Sequence, residues 1–264
     1  SSSFSSPSAL ASAKGFGLEG ILWDGVDVSI ISGNGQIGAG ISSSNSDDTF
    51  FGNTAKELTA DYETRVISGV ETGNGKYKFK KYTFATAFSL YKTKKKLFSV
   101  NVGLLAKHIE NTSNTHFGAG LSVSLGPLNL GITRLKDEGV SQELNLLGEK
   151  DPTSFYIHTF NAGINLHFIN FDYTFFDNQI GHNNQAHIFS GGIFYKKVIF
   201  SYGRRLEISS RPKYDYTNKI FLEQERVWRS FAGLQYQIAK KWMMGALVNY
   251  YLNQELSLVL TGFF

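Results

Sequence analysis

The sequence predicts an all-β chain closed into an antiparallel transmembrane β-barrel of 12 to 14 strands. Three observations carry this. Apolar residues alternate with small or polar ones, with period two, over one segment after another. The connections between those segments alternate short and long. Aromatic residues gather near both ends of the segments.

The alternation is clearest over 97–109. Phe98, Val100, Val102, Leu104 and Ala106 fall on one face and Ser99, Asn101, Gly103 and Lys107 on the other, with Leu105 as the exception. Over 115–125, Phe117, Ala119, Leu121, Val123 and Leu125 oppose His116, Gly118, Gly120, Ser122 and Ser124. Over 155–168, Tyr156, His158, Phe160, Ala162, Ile164, Leu166 and Phe168 oppose Asn161, Gly163, Asn165 and His167. A strand that shows water one face and lipid the other needs this pattern, because successive side chains point to opposite sides of the sheet. Segments 228–238 and 242–250 read the same way.

Thr93–Lys96, Gly126–Pro127, Lys196–Lys197 and Ala239–Lys240 read as tight turns, whereas Lys136–Pro152 and Leu206–Glu225 read as long polar loops. Membrane barrels have short periplasmic turns and longer extracellular loops. Counting back from Phe264 gives strands near 255–264, 241–251, 226–238, 198–206, 185–195, 169–176, 154–168, 127–135, 115–125, 97–109, 79–91 and 58–69. All four short turns then share the periplasmic side. Gly15–Trp23, Val26–Ile31 and Gln36–Ser42 are further candidates. An even strand count takes two of these three, which leaves the third, or residues 1–14, for the lumen. The domain reading is an N-terminal segment over 1–14 and a barrel over 15–264.

Composition agrees. Of 264 residues, 42% are hydrophobic and the mean hydropathy is −0.17. No run of about 18 apolar residues exists, which excludes a transmembrane helix but not strands of about 10 residues with a single apolar face. Gly 27 against Pro 4 suits a curved sheet with close backbone approaches. The absence of Cys removes thiol catalysis and Cys-based metal sites, and fits an oxidising envelope where no disulfide is needed. The net charge of +4 comes without a basic stripe, so nucleic acid is excluded as a partner. The Ser-rich start at Ser1 reads as a mature N-terminus after signal removal.

The aromatics divide into two girdles. Tyr82, Phe117, Tyr156, Phe175, Trp228 and Tyr250 fall near the outer rim, and Tyr91, Phe168, Tyr195, Tyr236, Trp242 and Phe264 near the inner rim. Lys92, Lys94, Lys95, Lys96, Lys196, Lys197, Lys240 and Lys241 collect on the predicted periplasmic rim, where long cationic stems reach phospholipid head groups. On the opposite side Arg204, Arg205, Arg211, Arg226 and Arg229 are expected to pair with Glu207, Glu223 and Glu225, with lipopolysaccharide phosphates as the other candidate. Lumenal Lys107, Arg205 and Arg229 are few for a general diffusion porin. Gly118, Gly120, Gly163, Gly203 and Gly233 are expected to face inward. Ala119, Ala162, Ala232 and Ala246 face outward, where they permit close approach of a second copy.

Three family resemblances bear on function. The segment 256–264, an alternating strand ending in Phe264, resembles the terminal signature of bacterial outer-membrane barrels, which implies an assembly signal read by the barrel assembly machinery. Ser6-Pro7-Ser8-Ala9-Leu10-Ala11 resembles the Asn-Pro-Ala-x-Leu-Ala stretch of FadL-like transporters, with Ser6 in place of the Asn and a much shorter chain. The block Lys14–Ile21, Gly35–Ser42 and Thr49–Gly52 resembles porin-like outer-membrane proteins of predatory bacteria. That resemblance implies a ring-shaped homo-oligomer enclosing membrane lipid.

Catalysis finds little support. An outer-membrane phospholipase needs a Ser nucleophile beside its His, and the nearest stretch, Gly181-His182-Asn183-Asn184-Gln185, has no Ser. Asp177 with His182, or Asp172 with His187, imitates an omptin-like pair but lacks paired carboxylates. The remaining His residues are scattered over different strands. The expected protein is therefore a non-catalytic, porin-like integral protein of the Gram-negative outer membrane. It needs no cofactor or metal, and its partners are phospholipid, lipopolysaccharide and copies of itself. The alternative is a monomeric channel for small solutes or hydrophobic compounds.

Overall fold

The computed structural model describes residues 6–23, 25–44, 81–93, 97–109, 115–144, 150–178, 184–214, 220–250 and 255–263. Among them, a 3-10 helix (Pro7–Ser12) leads into fourteen strands: β1 (Lys14–Trp23), β2 (Gly25–Asn34), β3 (Ile37–Ser44), β4 (Lys81–Lys92), β5 (Phe98–Ile109), β6 (Thr115–Leu125), β7 (Leu128–Leu144), β8 (Lys150–Leu166), β9 (Ile169–Asn178), β10 (Asn184–Tyr195), β11 (Val198–Tyr214), β12 (Ile220–Ala239), β13 (Trp242–Tyr250) and β14 (Glu255–Phe263). Each strand pairs antiparallel with its neighbours in sequence. β1 also pairs with β14, Gly17 opposite Phe263 and Leu22 opposite Leu258, so the sheet closes. Closure gives every wall strand two partners and leaves no row of unpaired N–H and C=O groups.

Three expectations need correction. All three early segments stand in the wall as β1 to β3, so none of them is left over for the lumen. The strand expected over 58–69 lies outside the described residues. β3 pairs directly with β4, Ile37 opposite Phe88, and the wall closes without it. The long loops expected over 136–152 and 206–225 are largely extended hairpins: β11 and β12 stay in register to Tyr214 opposite Ile220, and β7 and β8 run on to Leu144 opposite Lys150. The extension Ser209 to Tyr214, Ser-Ser-Arg-Pro-Lys-Tyr, carries no apolar alternation, which is why the sequence pattern stops before the strand does.

The tight connections share one end of the barrel. Two-residue turns at Gly126–Pro127, His167–Phe168, Lys196–Lys197 and Lys240–Lys241 join neighbouring strands. Gly126, His167 and Lys196 adopt φ of 57°, 45° and 53°, the left-handed region that matches the twist of a tight hairpin. Phe168, expected at the end of a strand, sits in the second of these turns. At the same end Asn34 Oδ1 accepts from the backbone N–H groups of Gln36 and Ile37, both at 2.8 Å, and fixes the β2–β3 turn.

The two faces of the wall differ sharply. Ile37, Phe84, Leu104, Leu121, Ile132, Phe160, Phe171, Phe189, Phe200, Leu234, Met244 and Leu258 are all exposed, one per strand on consecutive strands from β3 to β14. A soluble monomer rarely exposes a continuous apolar patch above a few hundred Å². The register places the intervening residues, such as Ala85, Ala87, Asn101 and Thr133, on the inward face, where they are buried. Leu105, the break in the sequence alternation, is inward and buried too. No helix among the described residues is long and apolar enough to cross a membrane.

Candidate lumenal site

The inward face has two unlike walls. The first is built from β2 to β6 and carries the 3-10 helix. Ser8 is 0% exposed, Leu10 and Ala11 1% each, and they pack with Ala85, Ala87 and Leu105. The helix backbone lies directly on glycine. A Cβ on Gly38 would collide with the Leu10 carbonyl, and one on Gly103 with the backbone of Pro7 and Ser8. These neighbours are backbone atoms and cannot swing aside, so both positions require glycine. Downstream, the Gly35 N–H donates to the Ala13 carbonyl at 2.7 Å and ties the end of the helical segment to the β2–β3 turn. Burying Leu10 contributes about 1.5–3 kcal/mol to holding the segment. The stretch that resembles the FadL-like sequence, Ser6–Ala11, is thus the one that meets the inner wall.

The second wall runs over β8 to β12 and carries polar groups beside the buried apolar Ile157, Phe176 and Ala186. Arg205 on β11 stands directly opposite Arg229 on β12, and Glu207 lies two residues along on the same face as Arg205. Glu207 serves both: its Oε1 is 2.8 Å from Arg205 Nε and its Oε2 3.1 Å from Arg229 Nη2. The first approach is an ion pair off the donor direction rather than an aligned hydrogen bond. Two guanidinium groups this close repel each other, and one carboxylate between them offsets that repulsion. On β8 to β10, Thr174 Oγ1 donates to Asn161 Oδ1 at 3.0 Å and Asn170 Nδ2 donates to Asp172 Oδ2 at 3.0 Å. Gly163, opposite Asp172, leaves room for that carboxylate.

The pairing expected of Arg205 and Arg229 with Glu207 is present, while the side chains of Arg211, Glu223 and Glu225 lie outside the described set. The register puts Gly118, Gly120, Gly163, Gly203 and Gly233 inward, and Ala119, Ala162, Ala232 and Ala246 outward, as the alternation requires.

The described residues of the two candidate Asp–His pairs do not converge. Asp172 is inward, but His187 is outward, where it packs against Phe175 and Tyr173, its Nδ1 2.9 Å from the Tyr173 hydroxyl. The sheet separates the two. His182 lies outside the described residues. His116 is buried on the inward face, while His108 and His158 share the outward face by register. No group of three or more potential metal ligands occurs among the described residues.

The predicted rims are only partly described. Lys92, Lys196, Lys197, Lys240 and Lys241 stand at the short-turn end, with Lys92 Nζ donating to the Gly35 carbonyl at 2.5 Å and Lys196 Nζ 5.2 Å from the Tyr195 ring centroid. Lys94, Lys95 and Lys96 lie outside the described residues. Tyr91, Phe168, Tyr195 and Tyr236 are exposed and Trp242 half-buried at that end. Phe117, Tyr156 and Trp228 are exposed and Tyr82 and Phe175 half-buried towards the other. The Tyr250 side chain and Phe264 lie outside the described set. Sequence reasoning missed the contact of the helix with Gly38 and Gly103 and the Asn161–Asn170–Asp172 row. The latter shows only as inward positions once the register is known.

No family model and no curated protein matches the chain. Solved structures do. The chain is similar to CymD, a monoaromatic hydrocarbon channel, with a TM-score of 0.51 at 10% identity over 98% of this chain and 91% of that one. It also aligns with the P. putida toluene transporter TodX (TM-score 0.49, 10% identity, 99% and 93% covered) and with the NanC porin (0.43, 12%, 94% and 99%). The first of these supports the fold, a closed antiparallel β-barrel.

Proposed function

We propose that the chain is a non-catalytic, porin-like integral protein of the outer membrane whose copies associate into a homo-oligomeric ring that organises or encloses membrane lipid. One observation carries this reading. The lumen is occupied from both walls, by the 3-10 helix and by Arg205, Glu207 and Arg229, while the outer face presents a continuous apolar band. A barrel narrowed inside and apolar outside is suited to work at its outer surface. Aromatics at both ends of the band match the two membrane interfaces. Outward Ala119, Ala162, Ala232 and Ala246 supply places where a second copy approaches closely. Lys92, Lys196, Lys197, Lys240 and Lys241, with Lys94 to Lys96, meet anionic phospholipid head groups on the short-turn side, and lipopolysaccharide, with phospholipid among it, meets the other.

A second reading, a monomeric channel for small or hydrophobic solutes, is favoured by the inward apolar group Leu105, Leu135, Ile157 and Phe176 and by the likeness to a hydrocarbon channel. Native mass of the protein extracted in mild detergent, together with its bound phospholipid, separates the two. A defined multimer carrying many lipids per protomer supports the ring. A lipid-poor monomer overturns it in favour of the channel.

A further inference from the structure

The outer face is not uniformly convex. On β10, Gly191 is an outward position without a side chain, opposite Phe171 on β9 and Tyr202 on β11. Around it Phe171, Phe189, Phe200 and Tyr202 stand exposed, and with Tyr173 they wall a trough of about 780 Å³ whose lining is apolar almost throughout. At its far end lies Arg204, also outward and exposed. Its guanidinium carbon sits 4.6 Å from the centroid of the Trp228 ring. Trp228 is opposite Leu206, two residues nearer the loop end than Arg204. The arginine stem therefore runs along the wall towards the loops by about 7 Å.

A second arginine repeats the arrangement. Arg134 holds its guanidinium carbon 3.9 Å from the Tyr156 centroid, and Tyr156 is opposite Lys136, again two residues loopward. Arg134 and Arg204 each lie six residues past the first residues of their strands, Leu128 and Val198. Two independent side chains thus bend the same way at the same height, which marks the level where apolar surroundings give way to polar ones.

We propose that the trough is a binding site for an anionic glycerophospholipid, one acyl chain lying over Gly191 and the phosphate meeting Arg204. The inference rests on the membrane-spanning reading above but not on the ring. A trough that is apolar along its length and ends in one cation fits a long chain with a single charged end. A lipid A molecule, with its two phosphates, finds only one guanidinium in the trough. Trp228 stiffens Arg204 by stacking beneath it and leaves its N–H groups to the phosphate.

The experiment uses the full chain with Trp23→Phe and Trp242→Phe, so that Trp228 alone fluoresces, in bilayers containing phosphatidylglycerol or phosphatidylcholine with brominated acyl chains. The expected result is an association constant for the anionic lipid at Trp228 about fivefold above that for the zwitterionic one, the size that one cation at a lipid surface supplies. Arg204→Gln brings the ratio to one, and Gly191→Leu weakens quenching by both lipids. Equal constants that Arg204→Gln leaves unchanged overturn the site while the membrane-spanning reading stands. Displacement of brominated phosphatidylglycerol by lipid A at lower mole fraction overturns the choice of lipid. Absence of quenching by either lipid, with the barrel intact by circular dichroism, overturns the site and the membrane-facing assignment of this wall together.

Discussion

The two inner walls solve the same problem by opposite means. Both line a closed sheet whose outer face is apolar, so neither can hide its inward side chains in a second layer of sheet. The wall of β2 to β6 shrinks its residues to Gly and Ala and covers them with a backbone segment. The wall of β8 to β12 keeps long charged side chains and fills space with Arg205, Glu207 and Arg229. The first depends on shape, since its contacts are backbone against backbone at Gly38 and Gly103. The second depends on charge, since one carboxylate bridges two guanidinium groups. A wall held by shape fails when volume is added, and a wall held by charge fails when a charge is removed.

The largest effect is expected on the charged wall. Glu207→Gln leaves Arg205 and Arg229 facing each other without their shared carboxylate and lowers stability by about 3 kcal/mol. Denaturant unfolding of the refolded barrel measures it, and a loss below about 1 kcal/mol shows that water in the lumen already screens the arginines. On the other wall, Leu10→Ala removes the most buried large side chain of the helix and weakens its seating by about 2–3 kcal/mol. The chain has no Cys, so Ser8→Cys, a near-isosteric change at a position 0% exposed, gives a single labelling site. Thiol labelling at position 8 should be slow in the Ser8→Cys protein and at least tenfold faster once Leu10→Ala is added. Equal rates in both would mean that Leu10 does not hold the segment. The smallest effect belongs to the turn lysines. Lys196→Gln with Lys197→Gln should weaken association with anionic bilayers by about 1 kcal/mol per residue at most, read as a shift in the salt dependence of liposome binding. No shift would return these lysines to the role of solvated turn residues.

The difference between the walls also explains what could be read from the sequence. Over 97–109, 115–125 and 155–168 the outward residues are large and apolar and the inward ones small or polar, so period two is plain and the faces come out correctly. Over β1 to β3 the inward residues include Ile31 beside Gly and Ser and the outward ones include Gly20 and Ala39, so the contrast between faces is low. All three segments were candidates there, and the even count, taken with the strand expected over 58–69, admitted only two. The continuation of β7, β8, β11 and β12 was illegible for another reason: Ser209 to Tyr214, Ser-Ser-Arg-Pro-Lys-Tyr, has no apolar residues at alternate positions. The Arg205–Glu207–Arg229 group was legible in part, because charges that near in sequence invite pairing. The seating of Pro7–Ser12 was not, because what receives it is the absence of side chains at Gly38 and Gly103, and a glycine in a strand does not say what approaches it.

The trough at Gly191 belongs with these cases. It too is a place where a missing side chain makes room, here on the outer face and for the Phe171 ring, whose Cδ1 would stand 3.2 Å from a Cβ on Gly191. Inside and outside, glycine marks contacts that alternation alone cannot show.

Single-channel conductance in a planar bilayer puts the occupied lumen to the most direct test. The intact chain should show no steps of general-porin size, whereas Gly38→Val, which drives the Leu10 carbonyl off the wall, should open steps severalfold larger. Large, open steps from the intact chain, unchanged by Gly38→Val, would show that the lumen is a free path and that the protein works through its interior rather than its outer face.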